Sequence, residues 1–512
     1  MSNKKEDNLS SSALKTSLGN FASRLSGLLR DILFALYFGT SGAMSAFITA
    51  LTIPNLSRRV FGEGALTASF IPLLSDRLKN EEDMWTFTSI ILSVTVLLTS
   101  ILAAAGIVIC LLVSFFVSDK NALILTLTSC LLPYMVFICL SAQISGILNL
   151  LKSFTLPSMS SAFLNIALIS ACLISTRFDI SPNAKIYFLV AAVLVSGVFQ
   201  FSVLFRSLKG KGASLKWLPD FKSSEWLSVK KLFIPGILGA SVAQISVMSD
   251  RLIAIWIGDH AVSALYYSER LTYFPVGIFA VALGTACLPF MSKAVSEDNH
   301  EELMSAFSFG LRQVVFLTIP CSILFFMHYQ DIMEIIYKRG AFDDQSLAYS
   351  AYAFMFYLPG IPAFSAVKII LPLYYARKNI STPVKISLAC LTVNIILGIS
   401  FIPLLSHGSL ALATTVSSYL NIILLIYFSG HADIWKTISK AALPILRIVI
   451  CSAIAAWAIN TLNWQVEFDS KSQQFIILLT KIGMFSALFL SLQILSGGIE
   501  FKEILLRKKI NN

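Results

Sequence analysis

The sequence predicts an all-α polytopic membrane protein of about fourteen spanning helices, arranged as two pseudo-symmetric six-helix lobes plus two C-terminal helices. Three observations predict it. Hydrophobic residues make up 56% of the chain and charged residues 13%, against about a quarter charged in an average soluble domain. Apolar runs long enough to cross a bilayer recur from end to end. Short motifs from the first half return, in order, in the second. A β-barrel is excluded, because the runs are continuous and lack an alternation of period two.

A window of about 20 residues places spans near 14–38, 42–70, 86–117, 123–149, 157–176, 184–206, 231–257, 262–292, 306–328, 346–376, 382–404, 409–429, 441–461 and 475–496. Residues 1–12 are polar and Ser-rich, with no apolar run before a small-residue cleavage site. That predicts no removable signal peptide and a retained first span.

Loop charge gives the orientation. One alternate set of loops holds Lys4, Lys5, Lys15, Arg77, Lys79, Lys152, Lys209, Lys211, Lys216, Lys222, Lys293, Arg377, Lys378, Lys436, Lys440, Lys502 and Arg507. The other holds few, among them Lys120, Arg177, Lys185, Lys338 and Arg339. Basic loops stay in the cytoplasm, so both termini are expected there, in a cytoplasmic (inner) membrane. The same rule accounts for most of the net charge of +11, and no nucleic-acid partner is needed.

The chain divides into an N-lobe at 1–206, a cytoplasmic linker at 207–230, a C-lobe at 231–430, and a final helix pair with a cytoplasmic tail at 431–512. In the linker, the lysines with Trp217 and Trp226 suit either a segment lying on the anionic inner leaflet or a solvated loop. The repeat shows in two places. Ala68-Ser69-Phe70-Ile71-Pro72 in the second span matches Thr285-Ala286-Cys287-Leu288-Pro289 in the eighth. Lys152-Ser153-Phe154-Thr155-Leu156-Pro157 matches Lys378-Asn379-Ile380-Ser381-Thr382-Pro383. An even-span repeat keeps its orientation, so the halves are expected to be related by an axis along the membrane normal.

The eight cysteines all fall in apolar runs without a CxxC pair, and the five histidines are scattered. They predict neither a disulfide framework nor a metal site. There is no Walker loop, nucleophile triad or HExxH motif, so ATPase or protease chemistry has no support. The chain reads as a transporter, not an enzyme.

The chemistry lies in charges inside the spans. A cation near a bilayer centre costs about 2.5–3.5 kcal/mol on insertion scales, so it usually faces a protein interior or a wet cavity. Arg24, Arg30 and Asp31 lie in the first span, and Arg58, Arg59 and Glu63 in the second. Six residues of helix set Arg24 and Arg30 about 120° apart, so both can line one broad wall. Local pairing with Asp31 is the other reading for Arg30. Arg59 and Glu63, at i and i+4, form a ready ion pair, which leaves Arg58 as the stronger substrate candidate. Pro54, Gly62 and Gly64 loosen this helix. Glu269 and Arg270 enter the eighth span, with Arg270 at the counterpart of Arg58 or acting as an interfacial anchor. Asp250 and Arg251 lie deep in the seventh; Asp250 with Asn394 is a candidate cation site. Lys481 reads as a snorkelling lysine. Several arginines from both halves suit a multivalent anion, because guanidinium grips phosphate in bidentate fashion.

The runs SRLSGLLRD at 23–31, IPNLSRRVFGEGALTASFIPLLSD at 53–76, SALYYSERLTYFPVGIFAVALGTACLPFMSK at 263–293, KRGAF at 338–342 and YYARKNISTPVKIS at 374–387 resemble the MurJ (MviN) family of lipid II flippases. That family belongs to the MOP superfamily, which also holds multidrug and polysaccharide exporters. The resemblance implies fourteen helices and a central cavity. It implies movement by alternating access of the undecaprenyl-diphosphate-linked peptidoglycan precursor lipid II to the outer face, in peptidoglycan biosynthesis. Family cavity arginines fall on Arg24, Arg30, Arg58 and Arg270. The last two helices would hold the lipid tail. Membrane lipids and peptidoglycan-synthesis proteins are the implied partners. No cofactor is implied beyond a coupling cation, sodium or proton, or the membrane potential. The family sodium site falls on Asp250 and Asn394, but Gly398 stands where a further ligand belongs. An Asp common in the second span is here Ser45. The alternatives are an exporter of another polyprenyl-linked glycan and an ion-coupled multidrug antiporter.

Overall fold

The computed structural model describes residues 22–62, 65–117, 119–429, 432–462, 471–498 and 500. Among these residues there are helices, turns and connecting segments, and no strand. Two compact units emerge from the packing: Met1–Ile255 with Arg339–Phe342, and Trp256–Lys338 with Asp343–Asn512.

In the first unit, α1 spans 22–38 and α2 spans Gly42–Ser57, capped by Ser41. A π-helical turn, Arg58–Gly62, follows, then α3 (Ala65–Ser75), α4 (Glu81–Ser114), α5 (Asp119–Leu150), α6 (Thr155–Ser175), α7 (Pro182–Lys209) and α8 (Ser224–Ile257). The start of α4 shows the local logic. The Asn80 side chain accepts from the Glu82 and Asp83 amides, and three acidic residues occupy the first turn, where the helix dipole favours negative charge. Buried hydroxyls on the same helix are satisfied internally: Thr88, Ser89, Thr95 and Thr99 each donate to a carbonyl one turn back.

α5 is the centre of this unit, packing against α2, α4 and α7. Phe70, Trp85, Phe87, Ile91, Ile147, Leu204 and Trp226 form one buried cluster across α3, α4, α5, α7 and α8. Trp226 is therefore a core residue, which corrects its reading as a membrane-surface or solvated side chain. The non-helical part of the expected 207–230 linker is 210–223. It docks on α4: the Lys216 amide donates to Ser89 Oγ at 3.0 Å and the Leu218 amide to Ser93 Oγ at 3.0 Å. Trp217 stays exposed.

In the second unit, α9 (Ala261–Pro275) runs through a π turn, Val276–Ala280, into α10 (Val281–Ser296). Then come α11 (His300–Met327), α12 (Tyr329–Tyr337), α13 (Asp344–Tyr357), a 3₁₀ turn at Leu358–Gly360, α14 (Ile361–Ala376), α15 (Ser381–Ser400), α16 (Ile402–Leu405), α17 (Gly408–Tyr427), α18 (Ala432–Thr461) and α19 (Lys471–Leu495). α11 packs on α10, α14 and α18, α9 on α13, and α15 on α17. Arg447 of α18 donates from Nη2 to both carboxylate oxygens of Glu500, at 2.7 and 2.6 Å. Gln313 of α11 donates to the Glu500 backbone carbonyl at 3.1 Å, so Glu500, through its carboxylate and its carbonyl, ties α18 to α11.

The repeat is visible in backbone geometry. Each unit carries a π turn about ten residues ahead of its motif proline, Arg58–Gly62 before Pro72 and Val276–Ala280 before Pro289. Lys152 and Lys378, the motif-matched residues, both adopt left-handed φ, +59° and +57°. Each is followed by the same helix-ending bond, Ser153 N–H to Leu148 O at 2.8 Å and Asn379 N–H to Tyr374 O at 3.0 Å.

Eleven helices among the described residues are long and apolar enough to cross a membrane. The three remaining expected spans, 14–38, 42–70 and 231–257, are those that carry Arg24, Arg58 and Asp250. All eight cysteines are free thiols, and no group of three metal-ligating side chains occurs among the described residues.

The cap of α13 carries a pH prediction. Asp343 accepts the Ser346 amide at 2.8 Å, and that backbone hydrogen bond holds its carboxyl below the ordinary range. A carboxylate depressed on folding contributes fully above its unfolded pKa, about 3.9, and loses that contribution as pH falls through the lower folded value. Asp343→Asn keeps the cap and is expected to flatten this part of the acid limb. Melting curves of wild type and variant below about pH 4 check it; curves that stay parallel would refute it.

Candidate functional site

The first-unit charges fall into three settings. Arg24, near the start of α1, is exposed. Arg30, two turns on, is buried with Asp31, at 9% and 3% exposure. Its Nε and Nη2 donate to Asp31 Oδ1 at 3.0 and 2.7 Å, and Nη1 donates to Asn165 Oδ1 of α6 at 2.8 Å. The Asn165 amide in turn donates to Ser23 O and Ser26 Oγ, both at 3.0 Å. Arg30 thus knots α1 to α6, with its guanidinium also 5.5 Å from the Phe34 ring.

The π turn sets the third. Pro54 interrupts α2 one turn upstream, and the extra residue of a π turn frees a carbonyl. Gln143, fully buried on α5, fills that role, donating to Phe61 O and to Thr95 Oγ1, both at 3.0 Å. The Thr67 hydroxyl bonds to Gly62 O. Gly62 allows the close approach: a Cβ there would lie 2.7 Å from Ala142 Cβ.

This geometry turns neighbouring arginines in different directions. Arg59 is exposed and donates to Gln244 of α8 at 3.1 Å. Its expected partner, Glu63, lies outside the described residues. Arg58 lines a cavity of about 320 Å³ within the unit, with Ser145, Asn149, Phe154, Ser160 and Gln200 among the other walls. Ser45 is buried in α2, and Thr49 donates to its carbonyl. Asp250 and Arg251 both lie on α8 of this unit, half-buried and buried respectively.

In the second unit Arg270 is exposed on α9, its guanidinium 4.8 Å from the Tyr266 ring. Glu269 beside it is half-buried. The helix is pinned one residue earlier, where Ser268 Oγ donates to Ser350 O of α13 at 2.6 Å. Asn394 is buried on α15 and donates to Thr414 Oγ1 of α17 at 3.2 Å. Gly398, one turn along, is shaped by the same seam: a Cβ there would lie 2.9 Å from Leu410 Cδ2. Lys481 of α19 lies close enough to Asp331 of α12 to help hold that carboxyl below its ordinary range, behind the larger effect of a hydrogen bond from His328.

Sequence reasoning overlooked Asn165, Gln143, Gln200 and Lys368. The three amides had no local signal; their partners are remote in the chain. Lys368 had one, as a lysine inside a 33-residue span, Asp344–Ala376. It is exposed, and α10 packs close behind it, where a Cβ on Gly284 would lie 2.4 Å from Lys368 O.

Arg24, Arg270 and Lys368 are thus exposed cations on helices read as membrane-spanning, and hydrocarbon is a poor environment for each.

A family model described as lipid II flippase MurJ matches residues 34–499. The probable lipid II flippase MurJ of Buchnera aphidicola subsp. Baizongia pistaciae is 34% identical over 429 residues, 82% of this chain and 83% of that one. The lipid II flippase MurJ of Burkholderia cenocepacia is 34% identical over 434 residues, with coverages of 82% and 83%. A solved structure of lipid II flippase MurJ in an inward closed conformation superposes with a TM-score of 0.78 at 25% identity, covering 96% of this chain and 99% of its own. A multidrug MATE family transporter of the MOP superfamily, inward-facing, shares the fold at a TM-score of 0.65 and 12% identity, covering 82% of this chain and 96% of its own.

Proposed function

Because the chain belongs to the lipid II flippase MurJ family, we propose that it carries lipid II from the cytoplasmic to the outer face of the inner membrane. It is a multi-pass membrane transporter rather than an enzyme. In this reading both termini are cytoplasmic, following the loop charges. Arg24, Arg30, Arg58 and Arg270 are the candidate headgroup-binding residues, and Lys368 is a further cation on a spanning helix. Arg30, bound to Asp31 and Asn165, contributes charge from a fixed position. Alternating access moves the headgroup, and membrane potential biases the cycle by about 2.3 kcal/mol per charge per 100 mV. A sodium ion held by Asp250 and Asn394 is the alternative drive. Gly398, packed toward Leu410, leaves no side-chain ligand at its own position.

The observation that carries the headgroup reading is the exposure of Arg24 and Arg270 on spanning helices, one in each unit. The test is lipid II accessibility at the outer face of cells depleted of their own flippase. Wild type is expected to restore it. Arg24→Ala and Arg270→Ala, at matched membrane levels, are each expected to cut it at least about tenfold, the loss of one charge-assisted phosphate contact of roughly 1.5–3 kcal/mol. Full activity in both variants would remove the arginines from the site. Failure of wild type, well expressed, would point to another polyprenyl-linked cargo.

A further inference from the structure

The second unit holds a buried histidine that the transport reading does not use. His407 stands just ahead of α17, 3% exposed, where that helix packs on α13. One ring nitrogen, Nε2, lies 2.9 Å from Tyr349 O of α13. A carbonyl only accepts, so Nε2 carries the proton and Nδ1 is the bare acceptor. Nδ1 is buried and has no hydrogen-bond partner among the described residues. Three rings stand against the imidazole, with centroids 5.2 Å away for His260, 5.6 Å for Tyr352 and 5.9 Å for Tyr349. His260 in turn lies flat on Tyr349, at 3.7 Å.

Neutral, the ring closes the α13–α17 seam with one bond. A second proton would sit on Nδ1, where no acceptor receives it, and a buried charge without a partner is costly. The titratable groups facing the ring are His260, ahead of α9, and Tyr349 and Tyr352 on α13. The other helices packed on α17, namely α14, α15 and α16, bring no charged group to it. Burial accordingly pushes the imidazole below its ordinary value, against a smaller upward effect of the bond to Tyr349 O.

The backbone beside it is poised to move. Ser406 has φ +48° and ψ −133°, a combination that residues with a side chain rarely adopt. Gly408 is pressed against two rings of α13: a Cβ there would lie 2.7 Å from Tyr352 and 2.8 Å from Phe356. In the same seam Ser350 Oγ and Ser409 Oγ are also buried without partners among the described residues. An opening that admits water satisfies all three polar atoms. Two turns along α17, Thr415 Oγ1 donates to Phe356 O at 2.8 Å, which keeps the rest of the seam closed.

We propose that His407 is a proton-operated latch: neutral, it holds the start of α17 on α13, and on protonation it lets that corner open to water. In the orientation proposed above from the loop charges, the corner lies at the outer face, so the latch senses the outer compartment. The latch itself stands on contacts within the second unit, whatever the chain carries. A histidine depressed on folding contributes stability that is complete above its unfolded value, about 6.5, and is lost as pH falls toward the folded value.

The test is hydrogen exchange of the purified full-length protein over residues 402–414, followed from about pH 8 to about pH 4.5 and corrected for the intrinsic pH dependence of exchange. Protection in wild type is expected to fall at least about tenfold on the acid side. His407→Gln keeps a donor for Tyr349 O and takes no proton, so its protection is expected to stay level. His260→Phe keeps a ring on Tyr349 and is expected to respond as wild type does. Level protection in wild type would overturn the proposal with no variant needed. So would a response that survives in His407→Gln, or one that vanishes in His260→Phe. His260 is the only other group facing the ring that titrates in this range, so the His260→Phe result decides between the two histidines even if His407→Gln folds poorly. None of these readouts involves transport, so their failure is distinct from failure of the transport reading.

Discussion

Alanine at position 31 is expected to lower the melting temperature of the protein sharply and reduce its level in membranes. Asp31 is 3% exposed and takes two hydrogen bonds from Arg30 on one oxygen. Removing one partner of a buried pair typically costs about 3–5 kcal/mol, because the other charge stays behind. Against a total stability of about 5–15 kcal/mol, that is a large share. Arg30 also holds Asn165, which bridges to Ser23 and Ser26, so the loss should spread to the α1–α6 contact. Replacing both members, as Arg30→Met with Asp31→Leu, should recover much of the melting temperature, since an apolar pair needs no compensation. Fluorescence-detected size-exclusion melting separates these outcomes. An Asp31→Ala protein that melts with wild type would show that the pair is not structural.

The second large effect is expected at Gly340, within the run KRGAF. Its φ is +57°, and a Cβ there would lie 2.4 Å from the Leu36 carbonyl oxygen. That oxygen accepts the Ala341 amide at 2.8 Å, so it cannot withdraw without breaking the bond. Gly340→Ala therefore combines a left-handed conformation, about 1–2 kcal/mol, with overpacking, about 1–3 kcal/mol. The expected outcome is release of Arg339–Phe342 from α1, although Phe342 is buried at 1% exposure. Hydrogen exchange at the Ala341 amide should rise by about two orders of magnitude if roughly 3 kcal/mol of local protection is lost. Unchanged exchange would show that the segment is held by Phe342 and not by this bond.

Much of the fold was legible because the bilayer is a demanding solvent. Long apolar runs have no other stable use, and each appears as a helix. The repeat was legible in Pro72 and Pro289 and in Lys152 and Lys378, residues whose backbone demands are unusual enough to leave a mark. The arginines stood out for the same reason: charge in an apolar run is costly, so its presence signals a use. The π turn at Arg58–Gly62 was not legible. Pro54 and the glycines announced a loosened helix, but Gln143, far along the chain, bonds to Phe61 O in that turn. Trp226 was misplaced because a tryptophan beside lysines suits a membrane surface as well as a core.

The sequence by itself determined the solvent, the helices, the duplicated plan and the set of charges inside the apolar runs, since each follows from local composition and transfer free energy. Only the tertiary structure decided what each charge does. Arg24 and Arg30 look equivalent along the chain, yet one is exposed and the other is bound by Asp31 and by Asn165, 135 residues away. Arg58 and Arg59 are neighbours, yet one lines a cavity and the other reaches α8. Hydrogen bonds act over about 3 Å, and no sequence pattern shows which distant amide folding will bring within that reach.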